Sequence, residues 1–219
     1  IEGVAVEKGA LFAAIGEAGV AIGNGDDARV RAQIERSPAA RRRLYGRAPD
    51  ADVRIAAREP VGMTGSRVTL DRRGAGSITF ETPLLGEAGA LACAAAVAVA
   101  EIALDARVSG EICAEAFARA DVGAGAGRLV PRVFASGLAV IDDTYNANPA
   151  STCASIRAAA EIAEATGRRL VLVLGEMKEL GVESARGHDE VGRAVAESFA
   201  AEVFAVGGWS KGVFNGGAW

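Results

Sequence analysis

Residues 140–151, Val-Ile-Asp-Asp-Thr-Tyr-Asn-Ala-Asn-Pro-Ala-Ser, hold the pattern on which the fold reading turns. The apolar run Gly137–Ile141 reads as a buried strand, and it ends in Asp142 and Asp143 before two amides, a proline and a small-residue helix start. In an open parallel sheet, ligands bind at the carboxyl end of a strand, where polar side chains meet the N-terminus of the next helix. A loop of the same composition also arises when an Asp or Asn does no more than cap the following helix. Both uses stay open on this stretch alone. Residues 170–181, LVLVLGEMKELG, repeat the order of apolar strand and then polar loop.

Outward from there, the pattern predicts strands at 138–142, 169–174 and 202–206, with helices near 150–166 and 183–200. Parallel strands joined by crossover helices are the economical fold for that order, so the class is α/β and Rossmann-like. The preceding half has a different grammar. Helical spacing of Val4, Leu11, Phe12 and Ile15 predicts a helix over 2–15, followed by a short strand at 19–24 and an amphipathic helix ending at Ile34. Pro38–Pro49 reads as a loop or broken helix. Alternation predicts strands at Val53–Ile55, Val68–Leu70 and Ile78–Phe80, the last two joined by a turn at 72–76, then helices near 88–104 and 109–120. The glycine-rich run 123–127 marks the expected domain junction.

Half of the 219 residues are hydrophobic but only 5% are aromatic, which suits small side chains packed between helices and parallel strands. A net charge of −4 argues against nucleic acid as the main partner. The basic run Arg41-Arg42-Arg43, with Arg36 and Arg47 nearby, reads as a solvated helix end. Cys93, Cys113 and Cys153 lie far apart, with no CxxC or Cys/His spacing, and read as buried free thiols in a reducing cytosol. The N-terminus lacks the basic and apolar regions of a signal peptide, and the longest apolar stretch, Ala88–Ala100, is short for a bilayer. A cytoplasmic protein without membrane insertion is therefore expected. The absence of an initiating methionine, and the close on Gly216-Gly217-Ala218-Trp219, read as cut ends.

Five stretches share a resemblance. Asp142–Pro149 follows the order D-D-S/T-Y-N-A-N-P, and Leu174–Gly181 is similar to L-G-D-M-x-E-L-G, with Glu176 in place of the usual aspartate. Lys8, Leu11 and Phe12 follow K-x-x-I/L-F/Y, ahead of a strand ending in Asn24, Asp26 and Asp27. Gly127-Arg128 stands just before the second half, and His188 sits in E-x-x-x-x-H-x-x-V-G order from Glu183. Together these resemble the Mur ligases, and among them the members that join D-alanyl-D-alanine to UDP-N-acetylmuramoyl-tripeptide.

The resemblance implies the later part of a central ATP-binding domain over 1–131 and the first part of a Rossmann-like C-terminal domain over 132–219. It implies ATP and Mg2+ as cofactors, a monomer, and those two cell-wall precursors as substrates. Lys8, on its residues alone a solvated helix lysine, becomes under the resemblance a catalytic carbamate supporting Mg2+, which prefers hard oxygen ligands. Arg128 is implied as a catalytic residue whose planar fork meets nucleotide phosphate. Asp143 is implied as the acceptor for a ribose, with Tyr145, Asn146 and Asn148 lining the same cleft. Asn24, Asp26 and Asp27 remain divided between a site and a helix cap, and His188 reads as helix packing. Two departures accompany the likeness. No G-x-x-G-K-T loop occurs in the 219 residues, and Gly86–Ala92, with Ala88, Gly89 and Ala92, replaces the family's polar G-x-H-N-x-x-N helix start. A non-catalytic domain pair, another Mur ligase or a folylpolyglutamate synthase relative stand as alternatives.

Overall fold

Period-two burial builds the first sheet. In the computed structural model, which describes residues 2–120 and 127–208, Ser66, Val68, Leu70 and Arg72 point inward along one strand and Ile78, Phe80 and Thr82 along the next. The order is helix α1 (Glu2–Ala13), strand β1 (Val20–Asn24), helix α2 (Ala28–Glu35) and strand β2 (Arg41–Gly46). Strands β3 (Val53–Val61), β4 (Gly65–Arg72) and β5 (Gly76–Thr82) follow, then helices α3 (Gly86–Ala103) and α4 (Gly110–Arg119). The five strands lie in sequence order, with β2 parallel to both β1 and β3.

Strand β2 corrects the sequence reading. Arg41, Arg42 and Arg43 are strand residues paired with Val20, Ala21 and Ile22, not a solvated helix end. Nothing in RRRLYG alternates apolar and polar, so the strand carries no period of its own; its neighbours on both sides impose it. Two of these arginines have partners, one local and one distant in sequence: Arg42 donates to the Ser37 carbonyl at 2.8 Å, and Arg43 reaches Glu101 at 3.4 Å.

Glu101 ties this unit together. It lies on α3, its side chain 2% exposed, and receives Arg72 at 2.8 Å, Arg107 at 2.5 Å and Arg43 at 3.4 Å. Burial alone would raise its carboxyl, but the guanidiniums of Arg107 and Arg72 outweigh that and hold it below the ordinary glutamate value. Arg72 also donates to the Val108 carbonyl at 2.7 Å, joining the β4 end to the segment before α4. By length and composition α3 is apolar enough to cross a membrane, and its face Ala90, Cys93, Ala94, Val97 and Ala98 is buried.

The chain divides into two compact units, one of Ile1–Glu59, Arg67–Thr82 and Gly89–Ala120, the other of Pro60–Ser66, Pro83–Ala88 and Asp121–Trp219. The second holds an antiparallel ribbon of β6 (Val130–Val133) and β7 (Ala139–Asp142). After it come helix α5 (Pro149–Thr166), strand β8 (Val171–Gly175), helix α6 (Ser184–Glu197) and strand β9 (Glu202–Val206). Strands β8 and β9 pair in parallel across α6, the crossover expected from sequence. Cys153 and Ile156 of α5 meet Leu172, Met177, Val191, Ala194 and Val195 in one core. Strand β7 is less buried than its apolar run suggested, with Leu138 59% and Val140 39% exposed, because its described partner is β6 alone. Of the glycine-rich junction, residues 123–126 lie outside the described residues, as does the 216–219 end.

All three cysteines are free and buried. Burial pushes the Cys93 thiol up to about 11 and raises those of Cys113 and Cys153. They stay protonated and act as small apolar side chains.

Removing Glu101 would strand buried arginine charge. Glu101→Ala is expected to lower unfolding free energy by about 3–5 kcal/mol, read from urea titration of the chain. A loss below about 1 kcal/mol, the value of an exposed pair, would show that the cluster is solvated.

Candidate functional site at the strand ends of the second unit

The segment 127–129 runs alongside the loop after β7, and its backbone explains its residues. Gly127 has a φ of 51°, and a Cβ there would lie 3.0 Å from Thr144 Oγ1 and 3.2 Å from the Tyr145 nitrogen. Glycine meets that approach and that φ without strain, and the Gly127 carbonyl accepts the Tyr145 N–H at 3.0 Å. Arg128 follows with its guanidinium 4.1 Å from the centre of the Tyr145 ring. Tyr145 is 64% exposed, and a stack this open is worth only about 0.5–1 kcal/mol. The cation is placed but not locked, so a stronger anionic ligand can claim it.

Leu129 is left-handed without being glycine, with a φ of 52°. That conformation costs an L-residue about 1–2 kcal/mol, so a local interaction must hold it. The holder is Asp143, whose Oδ1 accepts the Leu129 N–H at 3.0 Å. A hydrogen bond to a charged group is worth about 1.5–3 kcal/mol, enough to offset the cost. The other oxygen, Oδ2, accepts the hydroxyl of Ser155 on α5. Arg128, Asp143 and Tyr145 are thus brought together, and Ser155 joins them.

In the 140–151 loop the capping reading holds at Asn148, while Asp143 turns to Leu129 and Ser155 instead. Asn148 is the N-cap of α5: its Oδ1 accepts the Ser151 N–H at 3.0 Å, and Ser151 Oγ accepts the Asn148 N–H at 3.2 Å. Pro149 opens the helix where its missing N–H is harmless. Asn146 is exposed and accepts only the N–H of Ala147. Asp142 turns back on Thr144, whose hydroxyl and N–H hold its carboxyl below the ordinary aspartate value.

The second polar loop packs at the same end of this unit. A Cβ on Gly187 of α6 would lie 2.7 Å from Pro149 Cγ, so the start of α5 rests on α6. Met177 is buried, and its sulfur accepts the Thr152 hydroxyl at 3.8 Å. His188, 1% exposed, takes the Met177 N–H on Nε2 at 3.2 Å, while Nδ1 faces the Ser184 carbonyl at 2.8 Å. Those partners require a neutral ring with its proton on Nδ1. The histidine is therefore more than helix packing: it holds the backbone of the loop bearing Glu176. That carboxylate accepts the Gly208 N–H at 3.4 Å.

In the first unit Lys8 stands on an exposed face of α1, with Glu7 its ion-pair partner at 3.6 Å. Asp27 is the N-cap of α2, accepting the Arg29 N–H at 2.8 Å, and the side-chain bond from Arg29 lowers its carboxyl to about 2. Asp26 accepts the backbone N–H groups of Arg47 and Ala48, at 2.9 and 2.8 Å from its Oδ1. A Cβ on Gly46 (φ 140°) would come within 2.6 Å of the Asp26 carboxylate. Asn24 Oδ1 accepts the Asp26 N–H at 2.9 Å. These three side chains serve turns and caps. Among the described residues no three His, Cys, Asp or Glu gather to hold a metal ion.

Sequence reasoning missed Ser155 and Leu129. A serine at the second turn of an alanine-rich helix carries no motif, and nothing local marks a leucine as left-handed.

Comparison with known proteins gives one consistent result. The family model "Mur ligase, glutamate ligase domain" matches residues 127–212, which contain this site. The UDP-N-acetylmuramoyl-tripeptide--D-alanyl-D-alanine ligase of Escherichia coli K12 is 33% identical over 97% of this chain. The match covers 45% of that protein, so the chain spans less than half the length of this relative. The crystal structure of MurF from Acinetobacter baumannii superposes with a TM-score of 0.78 at 29% identity, covering 99% of this chain and 45% of that one. MurF ligase from Thermotoga maritima, solved in complex with ADP, shares the fold at a TM-score of 0.70 and 21% identity, covering 90% of this chain and 42% of that one.

Loss of the α5 cap has a measurable cost. Asn148→Ala is expected to destabilise the chain by about 1 kcal/mol in denaturant unfolding, whereas Asn148→Asp keeps the acceptor and stays close to wild type. Equal losses in both variants would mean that the side-chain oxygen is not the capping group.

Proposed function

Because the chain belongs to the Mur ligase family, we propose that it forms part of an ATP-dependent amide ligase of peptidoglycan precursor synthesis. In this reading ATP phosphorylates the terminal carboxylate of UDP-N-acetylmuramoyl-tripeptide. The amine of D-alanyl-D-alanine then attacks the acyl phosphate, and the amide, ADP and phosphate leave. Residues 1–131 are the later part of the central ATP-binding domain, and 132–219 the first part of the C-terminal ligase domain. The protein works as a cytoplasmic monomer without nucleic acid or membrane insertion.

One observation carries the reading: an unlocked guanidinium, Arg128, held over an exposed ring beside the Asp143 loop. In phosphoryl transfer such a cation neutralises charge developing on the phosphate oxygens. Asp143 uses one lone pair of each oxygen within the protein, and a carboxylate has about four acceptor sites, leaving capacity for a ribose hydroxyl. Tyr145 and Asn146 line the same opening. Asn148 gives its oxygen to the cap and keeps its amide N–H groups for a ligand.

Mg2+ belongs to the proposal as the partner of ATP, but the described residues alone do not fit it. Lys8 is their one candidate, through a carbamate, and its neighbour is Glu7. A second reading, a non-catalytic domain pair, draws on the lack of G-x-x-G-K-T in these 219 residues. The Tyr145–Pro149 sequence favours the D-alanyl-D-alanine-adding ligase over other Mur ligases or folylpolyglutamate synthase.

The 219-residue chain alone is expected to release no phosphate from ATP with both peptide substrates present; release above a heat-killed control would overturn that. The full-length protein should form the amide, and failure to do so with a folded protein would favour the non-catalytic reading. Within it, Lys8→Ala should abolish ligation, with partial recovery on adding acetate. Undiminished activity in the untreated variant would reduce Lys8 to a surface lysine.

A further inference from the structure

We propose that Ser155 is a positioning residue which, through Asp143, sets the place of Arg128. The proposal rests on the reading of Arg128 as a nucleotide-binding group. The connection is a continuous set of contacts within one unit. Helix α5 is fixed at its start by the Asn148–Ser151 box, and Ser155 lies one turn further on. Its hydroxyl sits 2.9 Å from the Ser151 carbonyl and also meets Asp143 Oδ2. Asp143 Oδ1 holds the N–H of Leu129, the left-handed residue next to Arg128.

A carboxylate bound through one oxygen can turn about its last side-chain bond. Binding the second oxygen stops that rotation and fixes the direction in which Oδ1 faces Leu129. Without the Ser155 hydroxyl, Asp143 can turn, Leu129 can relax to an ordinary φ, and Arg128 moves with it. The Gly127–Tyr145 backbone bond anchors the residue before Arg128, and the β6–β7 pairing begins at Val130 opposite Asp142, so between these two anchors the left-handed turn at Leu129 is set by this clip. Ser155 touches no substrate in this scheme; it acts on geometry, where a displacement of about 1 Å can cost on the order of 100-fold in rate.

The test is a double-mutant cycle in the full-length ligase, with kcat and KM for ATP measured under saturating peptide substrates. Ser155→Ala is expected to lower kcat/KM for ATP by about 10- to 100-fold, with a melting temperature close to wild type. Ser155→Thr, which keeps the hydroxyl, should recover most of the loss. In an Arg128→Ala background, Ser155→Ala should cost nothing further, because the residue it positions is gone. Multiplicative losses in the double variant, or a loss tracking a fall in melting temperature, would overturn the proposal. If Arg128→Ala alone leaves kcat/KM unchanged, the reading of Arg128 falls instead, and the two failures are distinguishable.

Discussion

A carboxylate withdrawn from water offers acceptor sites and no donors, so the chain around it must be arranged as a shell of N–H and O–H groups. That demand acts in full on buried Glu101, and two more open carboxylates, half-buried Asp143 and exposed Asp26, gather donors in the same way. Glu101 collects three arginines from β2, the end of β4 and the segment before α4. Asp26 collects two backbone N–H groups just past β2, at a turn that needs glycine at position 46. Asp143 collects a backbone N–H from the 127–129 segment and a hydroxyl from α5. Glu101 joins strands β2 and β4, which do not pair with each other, while Asp26 and Asp143 extend the pairings of β1 with β2 and of β6 with β7. Asp143 also places a cation.

The second unit shows how an outward-facing polar edge is assembled from such joints. Two polar loops follow β7 and β8, and each is held from behind by a helix. Asn148 and Ser155 belong to the cap and body of α5, while His188 of α6 holds the Met177 backbone. The two supports meet where Pro149 rests on Gly187. The side chains facing outward, Arg128, Tyr145 and Asn146, make few commitments within the protein. Rigid backing with unlocked frontage is the arrangement a binding loop needs, since ordering it costs little when the ligand arrives.

Much of this was legible in the chain, and the gaps have physical causes. Strands β4 and β5 announce themselves because one face is buried and every second residue must match it. Helices α3, α4 and α5 carry long runs of good helix formers. Strand β2 is nearly silent: it opens on three arginines, and the charge partner of Arg43 is Glu101, 58 positions away in sequence. The Asp142–Pro149 motif left open which of its residues cap α5 and which face outward, because cap and ligand group use the same residue types. Whether an Asn oxygen faces the Ser151 N–H or solvent is settled by backbone angles that residue identity does not encode. Ser155 was illegible for the same reason.

The distribution of thiols has a practical consequence. Cys93 and Cys113 are buried in the first unit and Cys153 in the second, all three free. A buried, protonated thiol reacts with alkylating reagents only when the structure around it opens. Nature has thus placed separate chemical clocks in the two halves. The labelling rate of Cys153 against that of Cys93 compares how often each half opens, with no engineered probe, and would reveal whether the halves breathe together or one at a time.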